Sequence, residues 1–263
     1  MCFHFFLFSK QEVDQYQEIV ADEFSGYESI FKKRTGTKKD GLVIAFKRNK
    51  FSLIEKTEIE FNDCPTKKKD RVALIGNFTS VISNFIKNIK HFAVDLQSTK
   101  TKKVITVVNT HLDYKNEDVR NKQLIYLLEK LKLKGHPSEK KPLIITGDFN
   151  DVPKSRVFDM IVHFSVQSKN KKSEKPKKSK KEESANNNLQ FVMKSSYPSF
   201  TPFNEEICTS FFLENKQIDY IFFNHSCLEV ISILEPVMIY HSLPDENNPS
   251  DHVPISCFLQ FKT

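Results

Sequence analysis

Short apolar runs recur along the chain, and each has the length of a buried β-strand. Most are bounded by turn-forming or charged residues, which fits strands that cross a core and end at its surface. We predict eight strands in this way, at residues 3–8, 42–47, 72–78, 92–97, 104–112, 143–149, 218–223 and 253–259.

Other stretches repeat their apolar residues at helical spacing. Residues 116–133 place one broad apolar face on Val119, Leu124, Leu127, Leu128 and Leu131, and acidic residues near the start of this stretch favour a helix N-terminus. Residues 12–24 form a second, weaker and mostly polar pattern, and residues 155–164 are a third candidate. Strands and helices alternate irregularly, which predicts an α/β fold with more than one strand direction.

The length and composition predict a single domain over residues 1–263, because 39% hydrophobic residues are enough for one sizeable core. The net charge is +7, but residues 169–183 alone carry +5, so the rest of the chain is nearly balanced. We expect residues 168–188 to be a disordered, Lys-rich insertion that is mainly solvated, with polyphosphate binding or nuclear targeting as alternatives. The basic pI is therefore weak support for a nucleic-acid groove.

The cysteines and the apolar start bear on the compartment. The five cysteines are scattered without a CxxC pair, which favours buried thiols in a reducing compartment. The first residues lack a basic segment and a cleavage site, so we interpret them as a buried strand and not as a signal peptide. We expect an intracellular protein, cytoplasmic or nuclear, with no membrane partner, since no apolar run approaches membrane length.

Polar residues that could bind a metal ion or transfer a proton lie at or next to the ends of the predicted strands. They are Glu12, Asn109, His111, Asp148, Asn150, Asp219, Asp251 and His252. Loops at one edge of a sheet gather such side chains into one pocket. Carboxylate oxygens suit Mg²⁺, and a histidine with a carboxylate partner suits proton transfer near neutral pH. Close Cys/His spacing for zinc and a GxSxG serine motif are both absent, so the set favours metal-assisted phosphodiester hydrolysis.

Five motifs in order, "KQEVD", "NTHLDY", "GDFND", "IDYIFF" and "PSDHVPI", resemble the endonuclease/exonuclease/phosphatase superfamily. Within it the chain is most similar to the branch of deadenylases, nocturnin and Angel proteins. That similarity rests on a Lys-Asp-Gly stretch before an apolar strand, on "KDRVALI", on "SFTPF", and on "LP" shortly before "PSDH".

The resemblance implies a four-layer α/β/β/α sandwich with two mixed β-sheets, a DNase-like fold. It also implies a Mg²⁺-dependent phosphodiesterase, with Mn²⁺ as an alternative ion, acting as a 3′-to-5′ exoribonuclease or deadenylase on single-stranded RNA. Carried over residue by residue, Glu12 binds the metal and Asp148 orients or deprotonates the attacking water. Asn150 holds the phosphate, and His111 donates to a phosphate oxygen.

The remaining implied roles belong to the C-terminal motifs. His252 faces the scissile phosphate as a base or as a hydrogen-bond donor, Asp219 orients His252, and Asp251 lies beside the metal. Contacts to the substrate are expected from Asn109, Phe212 and Asn116. Phe212 matches the base-stacking phenylalanine of the deadenylases, and Asn116 stands where they have a proline against the adenine.

The chain departs from the superfamily pattern in several places. The usual first strand with its metal-site asparagine, and the helix after it, are missing before Glu12, so the fold is expected to be truncated at the N-terminus. Lys10 replaces an apolar residue, and Arg71 replaces the asparagine of a "DNVA"-type motif.

Four interpretations stay open at this point. The chain is an active nuclease, an inactive pseudo-enzyme or interaction module, a fragment of a longer active protein, or a member of another branch with lipid, inositol phosphate or DNA substrates. The presence of all seven catalytic and metal-site residues favours a fragment over a degenerate enzyme. Loss of a core strand would also expose a sheet edge.

Overall fold

A computed structural model of the chain describes residues 5–12, 16, 25–64, 70–80, 103–138, 140–164, 193–198, 207–211, 215–235, 239, 241–248 and 250–262. Several predictions lie outside these residues. They are the strand at 92–97, nearly all of the helix at 12–24, the Lys-rich insertion at 168–188, and Phe212.

The described elements are eleven strands, two α-helices and a short 3₁₀ turn. In chain order they are β1 (Phe5–Glu12), β2 (Tyr27–Lys33), β3 (Asp40–Lys47), β4 (Phe51–Glu60), the 3₁₀ turn (Phe61–Asp63), β5 (Val72–Ser80), β6 (Val104–His111), α1 (Glu117–Leu133), β7 (Leu143–Asp148), α2 (Arg156–Val162), β8 (Met193–Ser195), β9 (Asp219–Asn224), β10 (Leu228–Ile233) and β11 (Cys257–Phe261).

A six-stranded sheet in the order β4-β5-β6-β7-β9-β8 forms the centre of the fold. Among its described strand pairs only β6 and β7 run parallel, and the helix α1 lies in the connection between them. The other neighbouring pairs are antiparallel, so the sheet is mixed.

Alternate residues of the central sheet face two different cores, as the strand period requires. On β6, Val108 packs with the helices α1 and α2, whereas Val107 packs against the second layer of strands. That second layer consists, in the described residues, of the antiparallel pieces β1-β3-β2 and β10-β11. The predicted layered α/β fold is confirmed, and within the described part the central sheet is the mixed one.

Strands with long apolar runs were predicted well, and strands with mixed sequences were missed. β3, β5, β6, β7 and β9 all match their predicted positions to within two residues at either end. β4 was missed because it is an edge strand with several exposed charged residues; β2 and β10 are likewise only partly buried. β11 begins four residues later than predicted, after Pro254, which cannot donate to a strand ladder.

Two of the three helix predictions, at 116–133 and 155–164, are confirmed. The helix α1 buries the five predicted apolar residues, and Asn116 caps its N-terminus by accepting a hydrogen bond from Val119 N. Ser155 caps α2 in the same way, through Phe158 N. Neither described helix is long and apolar enough to cross a membrane.

Candidate active site

Three predicted site residues lie side by side across the middle of the central sheet. His111 on β6 is paired in register with Asp148 on β7, and Asp148 is paired with Asp219 on β9. We call these three residues the site row. The row continues the face of the sheet that carries Val107 and Ile144, so its side chains point into the end of the space between the two strand layers.

Gly147 allows β7 to deliver Asp148 to the row. Its φ is +133°, and a Cβ atom at this position would collide with the carbonyl oxygen of Thr110 on β6. Only glycine fits such a conformation at such a close approach. In the sequence "GD" at the end of β7, the backbone conformation therefore requires the glycine, and the site uses the aspartate.

The next two residues fix the loop after β7. Phe149 is buried, and its ring packs edge-on against Phe222 with centroids 5.4 Å apart. Asn150 has a positive φ of 52°; its backbone N–H donates to Asp148 Oδ1 at 2.8 Å, and its side-chain Nδ2 donates to Leu112 O at 3.0 Å. The phenylalanine thus anchors the loop in the core while the asparagine holds the carboxylate of Asp148.

His252 reaches the row from a distant part of the sequence. Its Nδ1 lies 2.7 Å from Asp219 Oδ2. The segment around His252 is positioned by a bridge to Ser210 and by a hydrogen bond from Val253 N to Thr209 O. The Thr209 hydroxyl also accepts from the backbone N–H of Asp219 at 3.0 Å, so one buried segment holds both partners of the His–Asp pair.

The electrostatics of this cluster are those of closely spaced, desolvated acids beside a cationic histidine. Burial, and then the charge of Asp219, raise the pKa of Asp148 to about 7, although His252 and Arg71 partly oppose the rise. Burial works against protonation of His252, but the hydrogen bond and charge of Asp219 outweigh it and raise the pKa of His252 to about 9. The ring is therefore protonated at neutral pH, and both of its nitrogens donate.

A divalent cation fits this cluster. Potential ligand atoms of Asp148, Asp219 and His252 lie within 4.8 Å of one another, but a protonated imidazole cannot coordinate a cation, so only the two carboxylates of this cluster could contact one. Burial and the neighbouring Asp219 both disfavour the charged form of Asp148, and a bound cation would relieve both effects. Oxygen ligands of this kind are those that Mg²⁺ prefers.

The structure places the other predicted residues as follows. His111 Nε2 lies 3.3 Å from Asp148 Oδ2 within the row. Asp251 is half-buried next to His252, whose pKa its charge helps to raise. Glu12 ends β1 in register with Asp40, and its side chain is outside the described part.

Two predicted substrate contacts have structural roles. Asn109 is fully buried, and its Nδ2 donates to Val43 O on β3 at 2.9 Å, which ties the two strand layers together. Asn116 is exposed, and its side-chain oxygen accepts the capping hydrogen bond of α1.

Three further residues near the site were not predicted as functional. Arg34 binds the buried Asp40 through two hydrogen bonds of 2.8 and 2.7 Å, and Thr209 braces the start of β9. Asp40 belongs to the Lys-Asp-Gly stretch noted in the sequence, but no local motif marks Arg34 or Thr209, because their partners come together only in the folded chain. A cavity of about 660 Å³, lined by five lysines, lies at the opposite end of β6 and β7 and contains none of the predicted site residues.

Comparison with known proteins identifies a family, several relatives and solved structures with a similar fold. The profile of the Endonuclease/Exonuclease/phosphatase family matches residues 11–252. Carbon catabolite repressor protein 4 homolog 4 from Arabidopsis thaliana is 29% identical over 292 residues, covering 97% of this chain and 66% of that protein. The CCR4-Not complex 3'-5'-exoribonuclease subunit Ccr4 from Candida albicans is 32% identical over 260 residues, covering 91% of this chain and 32% of that protein.

Another relative, Protein angel homolog 2 from Bos taurus, is 33% identical over 145 residues, which cover 53% of this chain and 24% of that protein. The chain thus spans from about a quarter to about two thirds of the length of these three relatives.

Two solved structures share the fold. The structure of ANGEL2, a 2',3'-cyclic phosphatase, in complex with adenosine-2',3'-vanadate has a TM-score of 0.73 and 24% identity, covering 97% of this chain and 81% of that one. The human Nocturnin catalytic domain with bound sulfate has a TM-score of 0.68 and 22% identity, covering 98% and 81%. Since the family profile extends over the motifs that supply the site row and His252, the chain belongs to the Endonuclease/Exonuclease/phosphatase family.

Proposed function

We propose that the chain is a Mg²⁺-dependent phosphodiesterase that trims single-stranded RNA from its 3′ end. The observation that carries this proposal is the site row itself. It aligns His111, Asp148 and Asp219 on neighbouring strands and adds the protonated His252 at 2.7 Å from Asp219. The similarity to the Ccr4 exoribonuclease subunit supports RNA as the substrate.

The protein groups divide the chemistry between proton acceptance and charge stabilisation. Asp148 orients the attacking water and accepts its proton. His252, held by Asp219, donates from Nε2 to the phosphate as negative charge develops on its oxygens. Nδ2 of Asn150 has a second hydrogen beyond its bond to Leu112 O, and this hydrogen is available to a phosphate oxygen.

The cation would be bound by Glu12 close to Asp148, with Asp251 beside it. A bound Mg²⁺ supplies positive charge that neutralises the phosphate and stabilises the leaving oxygen.

The decisive experiment follows a 5′-labelled single-stranded RNA during incubation with the chain and Mg²⁺. We expect a ladder of products shortened from the 3′ end and no cleavage in EDTA. Asp148→Ala and His252→Ala should each lower kcat/KM on the order of 10²-fold. Asp159→Ala, which removes an exposed carboxylate on α2, is the matched control and should leave the rate unchanged.

Three results would contradict the proposal. They are undiminished cleavage in chelator, near-normal turnover by both site variants, and hydrolysis of a 2′,3′-cyclic phosphate without any trimming of RNA.

A further inference from the structure

Arg71 is a buried cation next to the site, and one of its guanidinium nitrogens has no hydrogen-bond partner among the described residues. It directly precedes β5, is only 6% exposed, and its Nη1 is buried without a hydrogen-bond partner in the described part of the chain. A buried guanidinium that lacks a hydrogen bond lowers the stability of the folded protein, because its lost hydration is not replaced. A ligand with an acceptor oxygen would satisfy this nitrogen.

The acids around Arg71 do not supply the missing hydrogen bond. Asp148, Asp113 and Asp40 all attract the guanidinium electrostatically. Asp40, however, is held by the two hydrogen bonds from Arg34.

The other two acids also have partners of their own. Asp113 Oδ1 accepts from the backbone N–H groups of Lys115 and Asn116, at 3.0 and 2.9 Å. Asp148 Oδ1 accepts from Asn150 N, as described above. The three carboxylates thus attract Arg71 to the site but leave Nη1 without an acceptor.

The loop after β6 places Arg71 at the boundary between the site and solvent. Its Cζ lies 5.6 Å from the ring centroid of Tyr114, which is 59% exposed. Lys115 Nζ lies 5.2 Å from the same centroid. A cation over an aromatic ring is attracted to it. The ring of Tyr114, three residues after His111, therefore orients the guanidinium and brings Arg71 and Lys115 together.

We propose that Arg71, with Tyr114 and Lys115, forms a second phosphate subsite beside the site row. In this subsite Arg71 donates from Nη1 to a non-bridging oxygen of a phosphate group on the substrate. A guanidinium is suited to this task because its planar donors match phosphate oxygens. The subsite rests on the proposed function, because it takes the substrate to be a nucleotide or nucleic acid with phosphate at this point.

The test measures binding of inorganic phosphate to the chain, by calorimetry, in Mg²⁺ and separately in EDTA. We expect Arg71→Met and Arg71→Asn to weaken binding about tenfold or more in both buffers, a loss typical of a charge-assisted hydrogen bond. Arg71→Lys should lose less phosphate affinity, because lysine keeps the positive charge but lacks the planar set of donors of the guanidinium. Arg48→Met is the matched control, since Arg48 is exposed in the turn between β3 and β4.

Thermal melting distinguishes a ligand-binding arginine from a structural one. Removal of an unsatisfied buried charge should leave the melting temperature of Arg71→Met unchanged or higher. A lower melting temperature with unchanged phosphate affinity would show that Arg71 is a structural ion and would overturn the subsite. If Arg71→Met does not fold, Arg71→Lys provides the comparison, and phosphate affinity equal to that of the original chain would overturn the subsite.

RNA kinetics separate this inference from the proposed function. The subsite predicts that Arg71→Met raises KM for RNA about tenfold, with a smaller change in kcat. RNA cleavage with normal KM, together with normal phosphate binding, would refute the subsite and leave the nuclease intact. Phosphate binding that depends on Arg71, in a chain that cleaves no RNA, would support the subsite and refute the nuclease.

Discussion

Asp219 Oδ2 and His252 Nδ1 are 2.7 Å apart although the two residues are separated by 33 positions in the sequence. The contact fixes which ring nitrogen faces the carboxylate, so Nε2 is the nitrogen left for the substrate. It also makes the protonation of His252 depend on the charge of Asp219 more than on that of any other neighbour.

The first prediction concerns this pair. Asp219→Asn keeps the size of the side chain but removes the charge that raises the pKa of His252. We expect kcat to fall on the order of 10²-fold, and the alkaline limb of the pH–rate profile to move to lower pH. Asp245→Asn, which removes the exposed His241–Asp245 pair of 2.6 Å, is the control and should not move that limb. An unshifted profile in Asp219→Asn would mean that His252 does not titrate in the reaction.

The second prediction concerns stability against pH in the absence of divalent cations. The folded-state pKa of Asp148 is raised from 3.8 to about 7, so the folded state holds a proton that the unfolded state has lost. Stability therefore falls as pH rises between these two values. The raised pKa of His252 acts in the same direction, because its stabilising effect is present below about 6.5 and is lost as pH rises through about 9.

Chemical unfolding in EDTA at pH 5 and pH 8 measures this effect. Asp148→Asn should raise the free energy of unfolding at pH 8, on the order of 1 kcal/mol or more, and change it much less at pH 5. Added Mg²⁺ should stabilise the original chain more than the variant. Equal effects of the substitution at both pH values would contradict a raised pKa at this position.

The third prediction concerns Gly147. Alanine there adds a Cβ that collides with Thr110 O and forces a residue with a side chain to a φ of +133°. We expect a loss of about 3 kcal/mol in the free energy of unfolding, or no folded protein. Gly26→Ala is the matched control, because Gly26 has a φ of +87° but nothing within 4 Å of the added atom. It should lose only about 1 kcal/mol from backbone strain.

The fold was predictable from the sequence wherever burial alone determines a segment. β3 and β5 are buried along most of their length, and their apolar runs show this directly. The edge strand β4 could not be recognised from its sequence, because many of its residues face solvent. It forms by pairing with β5, and that pairing leaves no apolar run in β4 itself. Edge strands lack the continuous apolar signal of a central strand.

The candidate site was predictable in its members but not in its geometry. The motifs identified Asp148, Asp219 and His252, yet only the register of β6, β7 and β9 shows that His111 and the two acids share one row. The sequence marked Arg71 only as a departure from a related motif. Its burial and its unused Nη1 depend on packing between β5 and the loop after β6, which no local pattern records.

The last prediction is the base preference. Single-stranded recognition relies on stacking bases against aromatic faces, worth ~1–3 kcal/mol per base. Phe212, outside the described residues, is the predicted aromatic face. The predicted opposite wall is Asn116, whose side-chain oxygen accepts from Val119 N at 3.0 Å to cap α1. A polar side chain held in a helix cap need not stack on a base, so the pocket should bind a base and discriminate poorly.

We therefore expect only a few-fold preference for poly(A), measured as kcat/KM on A, U and C homopolymers of equal length and end chemistry. Phe212→Ala should lower kcat/KM on all three by roughly tenfold, the lower half of the stacking range. Asn116→Asp preserves a capping oxygen and should change none of them by much. A hundredfold bias towards the A homopolymer would show that other side chains complete an adenine pocket, and that Asn116 does not form its wall.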